Sequence, residues 1–171
     1  MNELLYIEIV NFLLYCGYKY IMGDFIATWK DWQDKEYWLR WDTDVRSTSN
    51  EGFRQLKLYF AKTKKLIEDN GWGENYWQCL GGDPQDANAS EYRALSCICR
   101  KCLPGIKIND PVETTEIQGA LDMWVVKQAV FDKRIEKYKE LQEMGEEIWI
   151  YTCGFPSGKY MNRVIDLPLT A

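Results

Sequence analysis

Short apolar runs alternate with capped amphipathic segments along most of this chain, and that alternation restricts the fold more than any other feature. The runs that predict strands are YKYIMGDF (18–25), NYWQCLG (75–81), IKIND (106–110), GALDMWVV (119–126) and EEIWIYTC (146–153). Residues 3–15 predict a helix. Phe53, Leu56, Phe60, Thr63 and Ile67 recur at helical spacing behind Thr48-Ser49-Asn50-Glu51, which matches a capping box, and Asn70-Gly71 closes that helix. A second capping box, Asn88-Ala89-Ser90-Glu91, precedes the stripe Tyr92, Leu95, Cys99 and Cys102, and Pro104-Gly105 ends it. Phe131, Ile135, Tyr138 and Leu141 predict a last helix running to Gly145. Ala27 to Ser47 is a polar, Trp-rich connection, and connections of that length in compact domains are often functional. The tail GFPSGKYMNRVIDLPLTA is loop-like.

Strand–helix alternation argues for parallel strands joined by right-handed crossovers in a single domain, residues 1–171. Five strands suit a doubly wound sheet, but the phosphate loops that usually accompany one, G-x-G-x-x-G and G-x-x-x-x-G-K-[ST], do not occur. A (β/α)8 TIM barrel needs eight strands and about 250 residues. The expected fold is therefore α/β of the TIM-barrel type, incomplete, with about five parallel strands and crossover helices.

Charge and residue usage exclude several functions. The net charge of −5 argues against nucleic acid as a partner, because phosphate binding needs clustered Lys and Arg. No membrane span is expected, since no run of 18 or more apolar residues occurs. MNELLYIEIVNFLLYCGY is expected to form an amphipathic helix rather than a signal peptide, because Glu3 and Glu8 interrupt it. The chain contains no His, which removes Ser-His and Cys-His pairs and the commonest zinc ligand. Acid–base chemistry then falls to carboxylates, Tyr or Lys. Cys97, Cys99 and Cys102 fit buried thiols better than a metal site, because Cys97 points roughly 200° away from Cys99 on a helix.

In parallel α/β folds, functional loops follow the carboxyl ends of strands. Those ends here are Asp24, Gly82-Asp83, Asp110, Trp124 and Tyr151-Thr152. Carboxylates and aromatic platforms without histidine are what glycoside hydrolysis requires: one acid protonates the leaving oxygen, and a second group stabilises or attacks the cationic sugar. The 8 Trp and 11 Tyr supply rings on which a sugar face can pack, although composition alone favours a Trp-rich core. Asp24, Trp124, Trp149 and Tyr151 are the candidate sugar contacts, with core packing as the competing role for the rings. Asp122 fits an Asp tied to backbone amides or to an Arg. Asp83 suits catalysis, but Gly-Asp-Pro is also ordinary turn chemistry.

Five blocks then carry a resemblance: STSNEGFRQL, NGWGENYWQCLGGDPQDANASEYRAL, LPGIKINDPVET, GALDMWV and GEEIWIYTCGFPSGKYMNRVIDLPL. In order and spacing the chain resembles the catalytic domain of glycoside hydrolase family 123, from about Gly17 to Leu169. The resemblance implies a (β/α)8 barrel acting on N-acetylgalactosaminides, with a carbohydrate substrate as partner and no metal or organic cofactor. It implies a substrate-assisted, retaining reaction in which the substrate's acetamido oxygen attacks the anomeric carbon. In the family an Asp-Glu pair before Pro serves this step: the Asp orients the acetamido group, and the Glu is general acid and then base.

The chain departs from that pattern at the pair itself. Gly82-Asp83-Pro84 stands where Asp-Glu-Pro is expected, so Asp83 takes the catalytic acid position and Gly82 leaves the stabiliser position vacant. The family barrel also begins at least one strand earlier and continues with a helix and a final strand. That leaves open a fragment whose missing barrel segments come from a longer chain, a degenerate copy, or half of an assembly. The alternative to a weakened hydrolase is a non-catalytic carbohydrate-binding pseudoenzyme or fragment.

Overall fold

The structure is a computed structural model that describes residues 3–152. Helix α1 (Glu3–Tyr15) leads into strand β1 (Ile21–Met22). Three short strands follow, β2 (Ala27–Thr28), β3 (Trp38–Leu39) and β4 (Asp42–Arg46), then α2 (Asn50–Asn70), β5 (Tyr76–Gln78) and α3 (Ala89–Cys102). The chain continues through β6 (Lys107–Val112), β7 (Met123–Lys127), α4 (Gln128–Lys133), α5 (Ile135–Glu143) and β8 (Glu147–Tyr151). Strands β1-β5-β6-β7-β8 pair in that order, all parallel, with α2 and α3 in the crossovers between the first three. Among the described residues the strands form an open arc, not a closed barrel.

The arc is strongly curved. Trp77 on β5 and Trp149 on β8 lie three strand intervals apart, roughly 14 Å along a flat sheet. Their ring centroids are nevertheless 6.1 Å apart, and Tyr20 touches both rings at 4.5 and 6.2 Å. Side chains meet this way only across the hollow of a curled sheet. Period-two alternation sends the other residues of each strand to the convex face. There Leu80, Ile108, Val112, Trp124 and Val126 pack against Leu56 and Phe60 of α2, Tyr92, Leu95 and Cys99 of α3, and Tyr138 and Leu141 of α5. A smaller cluster of Val10, Ile67, Trp72 and Tyr76 docks α1, and the Trp72 indole N–H donates to Asn11 Oδ1 at 3.0 Å.

Four expectations are corrected. Residues 27–47 form a three-stranded antiparallel sheet, β2-β3-β4, rather than an irregular connection. Its strands are too short for alternation to show; it is held by the amides of Ile26 and Ala27 donating to Leu80 O and by Tyr37 packing on Tyr92. The capping residue of α2 is Ser49, whose Oγ accepts from Gly52 N at 3.0 Å. The second capping box does not form: Glu91 instead takes both Arg46 Nε and Nη2, at 2.9 and 2.8 Å, along with Thr48 Oγ1. The last helix is divided at Arg134, which leaves helical geometry and pairs its guanidinium with Asp86. The C-terminal tail lies outside the described residues. Among the described residues no helix is long and apolar enough to cross a membrane.

Candidate active site

The loop after β5 is built around two consecutive residues of positive φ, Gly82 at 56° and Asp83 at 40°. Gly82 adopts this conformation freely; a side chain makes it costly, and Asp is among the few residues that tolerate it. Gly81 is required for another reason: a Cβ there would lie 2.4 Å from the Tyr37 ring. The geometry is held from below by Asp110. Its carboxylate accepts the backbone N–H groups of Leu80 at 2.8 Å and of Gly81 and Gly82 at 3.3 Å each, together with the Tyr92 hydroxyl. Successive amides turned inward form a small nest of donors, and here the acceptor is a carboxyl of the protein itself.

The sequence places Asp110 among the rim carboxylates on the expectation that β6 ends there; the structure corrects this. β6 runs on through Pro111 to Val112, which turns Asp110 to the convex face with Ile108 and Val112, fully buried. Burial pushes its carboxyl up to about 7 against the pull of the four donors. Glu113 becomes the residue that follows β6. Its backbone N–H donates to Pro84 O at 3.1 Å, tying it to the loop that carries Asp83. Val112 is in register with Val126, and Lys127 with Tyr151, so Glu113, Lys127 and Tyr151 follow one another along the same rim.

Asp83 is half-buried at this rim and faces a small cleft of about 170 Å3 lined by Phe25, Trp29, Arg40 and Gly82. Its carboxyl is raised above the ordinary Asp value, first by burial and then by the negative charge of Glu113, while Lys127 opposes the shift. On the other side of Pro84 a second cleft, of about 440 Å3, is lined by Gln33, Lys35, Gln85, Asp86, Glu113 and Arg134. Asp83 lines the smaller hollow and Glu113 the larger, both after parallel strands at the end of the sheet where barrel enzymes do their chemistry.

A family model described as the glycoside hydrolase 123 catalytic domain matches residues 8–171. The chain belongs to that family. Among curated proteins, none matches it. As a glycoside hydrolase domain it takes a carbohydrate substrate.

The other sequence-predicted residues of this glycoside hydrolase domain are dispersed. Trp124 is 0% exposed on the convex face, with its indole N–H on Glu146 Oε2 at 3.0 Å and its ring edge-on to Tyr138 under α5. It has no surface to offer a sugar, and its expected place among the sugar contacts is corrected to the core. Trp149 is on the concave face, two residues below Tyr151 and therefore inside the hollow rather than at its mouth. Tyr151 ends β8 at the rim. Asp24 is exposed and paired with Arg40 at 3.0 Å. Asp122 is tied to Ile108 N at 2.8 Å and to Arg100, as the sequence suggests. Cys99 is buried in the core while Cys97 is exposed, and among the described residues no group of His, Cys, Asp and Glu has the arrangement of metal ligands. Sequence reasoning misses Glu113 and Lys127. The signal that finds them is strand length: extending β6 by two residues and β7 by one brings both to the rim.

Position 82 is tight for a side chain. A Cβ on Gly82 would lie 3.1 Å from the Phe25 ring, in a backbone conformation that side chains avoid. Gly82→Ala is expected to lower stability by about 1–2 kcal/mol. Gly82→Asp is expected to restore nothing by itself, and Phe25→Ala should offset part of its cost. A double-mutant cycle in denaturant, showing coupling between positions 25 and 82, checks this.

Proposed function

We propose that this domain hydrolyses terminal N-acetylgalactosaminides with retention, through the substrate's own acetamido group. Asp83 protonates the glycosidic oxygen as the acetamido oxygen attacks the anomeric carbon and the bond to the leaving group breaks. An oxazolinium ion results. Asp83, now ionised, takes a proton from water as the water attacks the same carbon, which reopens the ring and restores the acid. The observation that carries this reading is the state of Asp83: a half-buried carboxyl at the strand-end rim, raised by burial and by Glu113, and so suited to holding the proton that a general acid must deliver. The absent side chain at Gly82 removes a group that would stabilise developing charge, which costs on the order of a hundredfold or more in rate.

A second reading is favoured by the Phe25 ring against Gly82: the site binds the sugar and does not cleave it. An aryl N-acetyl-β-galactosaminide and its N-deacetylated counterpart separate the two. Slow release of the phenol from the acetylated glycoside alone is the expected result. Binding by calorimetry without release favours the second reading, and neither binding nor release overturns both.

A further inference from the structure

We infer that Glu113 is the second carboxylate of this site and accepts the acetamido N–H of the sugar, the contact that Gly82 cannot make. The inference deepens the proposed function and rests on it. Three carboxylates follow parallel strands of the arc: Asp24 after β1, Asp83 after β5 and Glu113 after β6. Asp24 is engaged by Arg40. Neighbouring acids are engaged too, Asp86 by Arg134 and Glu91 by Arg46, while Asp110 is buried in its nest of amides. Among the described residues no lysine or arginine forms an ion pair with Glu113.

Position supports the role. The bond from Glu113 N to Pro84 O fixes the residue one strand away from Asp83, so the two carboxyl groups approach the rim from adjacent strands instead of adjacent residues. A stabiliser after β6 needs nothing from position 82, where a side chain would crowd Phe25 in a positive-φ backbone. Glu113 also lines the 440 Å3 cleft, a volume within the roughly 300–1,000 Å3 usual for small-ligand sites, while Asp83 lines the 170 Å3 one; the Glu113 charge is near enough to Asp83 to raise its carboxyl, so a sugar in the larger cleft reaches Asp83 across Pro84. Gln85 lines the same cleft, and its buried Nε2 has no hydrogen-bond partner among the described residues, which leaves a donor for a sugar hydroxyl. The side chains divide the work: Asp83 moves the proton, Glu113 holds the N–H while positive charge develops on the acetamido group, and Gln85 holds the ring.

The test is a comparison of two sugars that differ only in that N–H: N-acetylgalactosamine and the 2-O-acetyl ester of galactose, titrated calorimetrically into the whole chain. Wild type is expected to prefer the amide by at least about tenfold, the size of one hydrogen bond to a charged group. Glu113→Ala should abolish the preference, Glu113→Asp should keep part of it, and Asp83→Asn should leave it in place. Melting curves identify any variant that fails to fold, and Glu113→Gln then replaces Glu113→Ala, with the preference expected to fall because the charge is gone. If the amide preference survives loss of Glu113 while the aryl glycoside is still cleaved, the inference is overturned and the function stands. An absence of preference in wild type overturns the inference too. Failure to bind either sugar or to cleave the glycoside overturns the function and the inference together.

Discussion

Replacing Asp110 by Ala is expected to destabilise the domain by about 3–5 kcal/mol, the largest stability effect of any single change at the site. The carboxylate is the shared acceptor for three backbone amides and the Tyr92 hydroxyl, all buried. Its removal leaves those donors without a partner and releases the two positive-φ residues, whose conformation no local preference maintains at Asp83. Asp110→Asn should cost less, because the amide oxygen still accepts while its NH2 faces the donors badly. The two changes also differ in pH dependence. The folded carboxyl keeps its proton up to about 7, whereas the unfolded chain releases it near the ordinary Asp value of 3.8. Between those values the folded state binds more protons, so the contribution of Asp110 is fully present below 3.8 and is lost as pH rises through about 7. Urea unfolding at several pH values checks this: the gap in stability between wild type and Asp110→Asn should narrow as pH rises across that window.

Asp83→Asn is expected to lower kcat on the aryl N-acetylgalactosaminide by about 10²- to 10⁴-fold, the usual contribution of a positioned general acid. Its fold should be retained, because Asn tolerates positive φ about as well as Asp. KM should change little, since the proton is delivered only as the bond breaks. The pH profile gives an independent check. The Asp83 carboxyl is raised by burial and by Glu113, so the protonated form persists to higher pH than an ordinary Asp and the rate should fall as pH rises through that raised value. Substrates with an activated leaving group need less protonation, and Asp83→Asn should harm them less. A uniform loss across leaving groups would instead point to a structural role for Asp83.

Local sequence decides some of these features outright. Leu56, Phe60 and Ile67 are the buried face of one helix, and Gly71, with φ of 68°, ends it as the Asn-Gly pair indicates. Those features depend on side-chain period and on glycine's freedom at positive φ, both local properties. Strand β6 shows the opposite. Asp-Pro looks like a stop, yet Pro111 sits within the strand in register with Val125. The two-residue difference moves the rim from Asp110 to Glu113, because a strand's faces alternate. Trp124 departs from expectation for a related reason: with Asp110 and Val126 it belongs to the convex set, and neither composition nor spacing says which face of a strand a helix will cover. Arg46 and Glu91 are 45 residues apart, and their pairing displaces a capping box that the local pattern alone would favour.

The sequence by itself determined the alternating order of parallel strands and helices and the family, since both follow from local periodicity and contiguous motifs. Only the tertiary structure decided that Asp110 is a buried anchor, that the Phe25 ring crowds position 82, and that Glu113 stands beside the Asp83 loop. Those relations join residues dozens of positions apart, and they exist only once the sheet has curled and chosen which of its faces the helices cover.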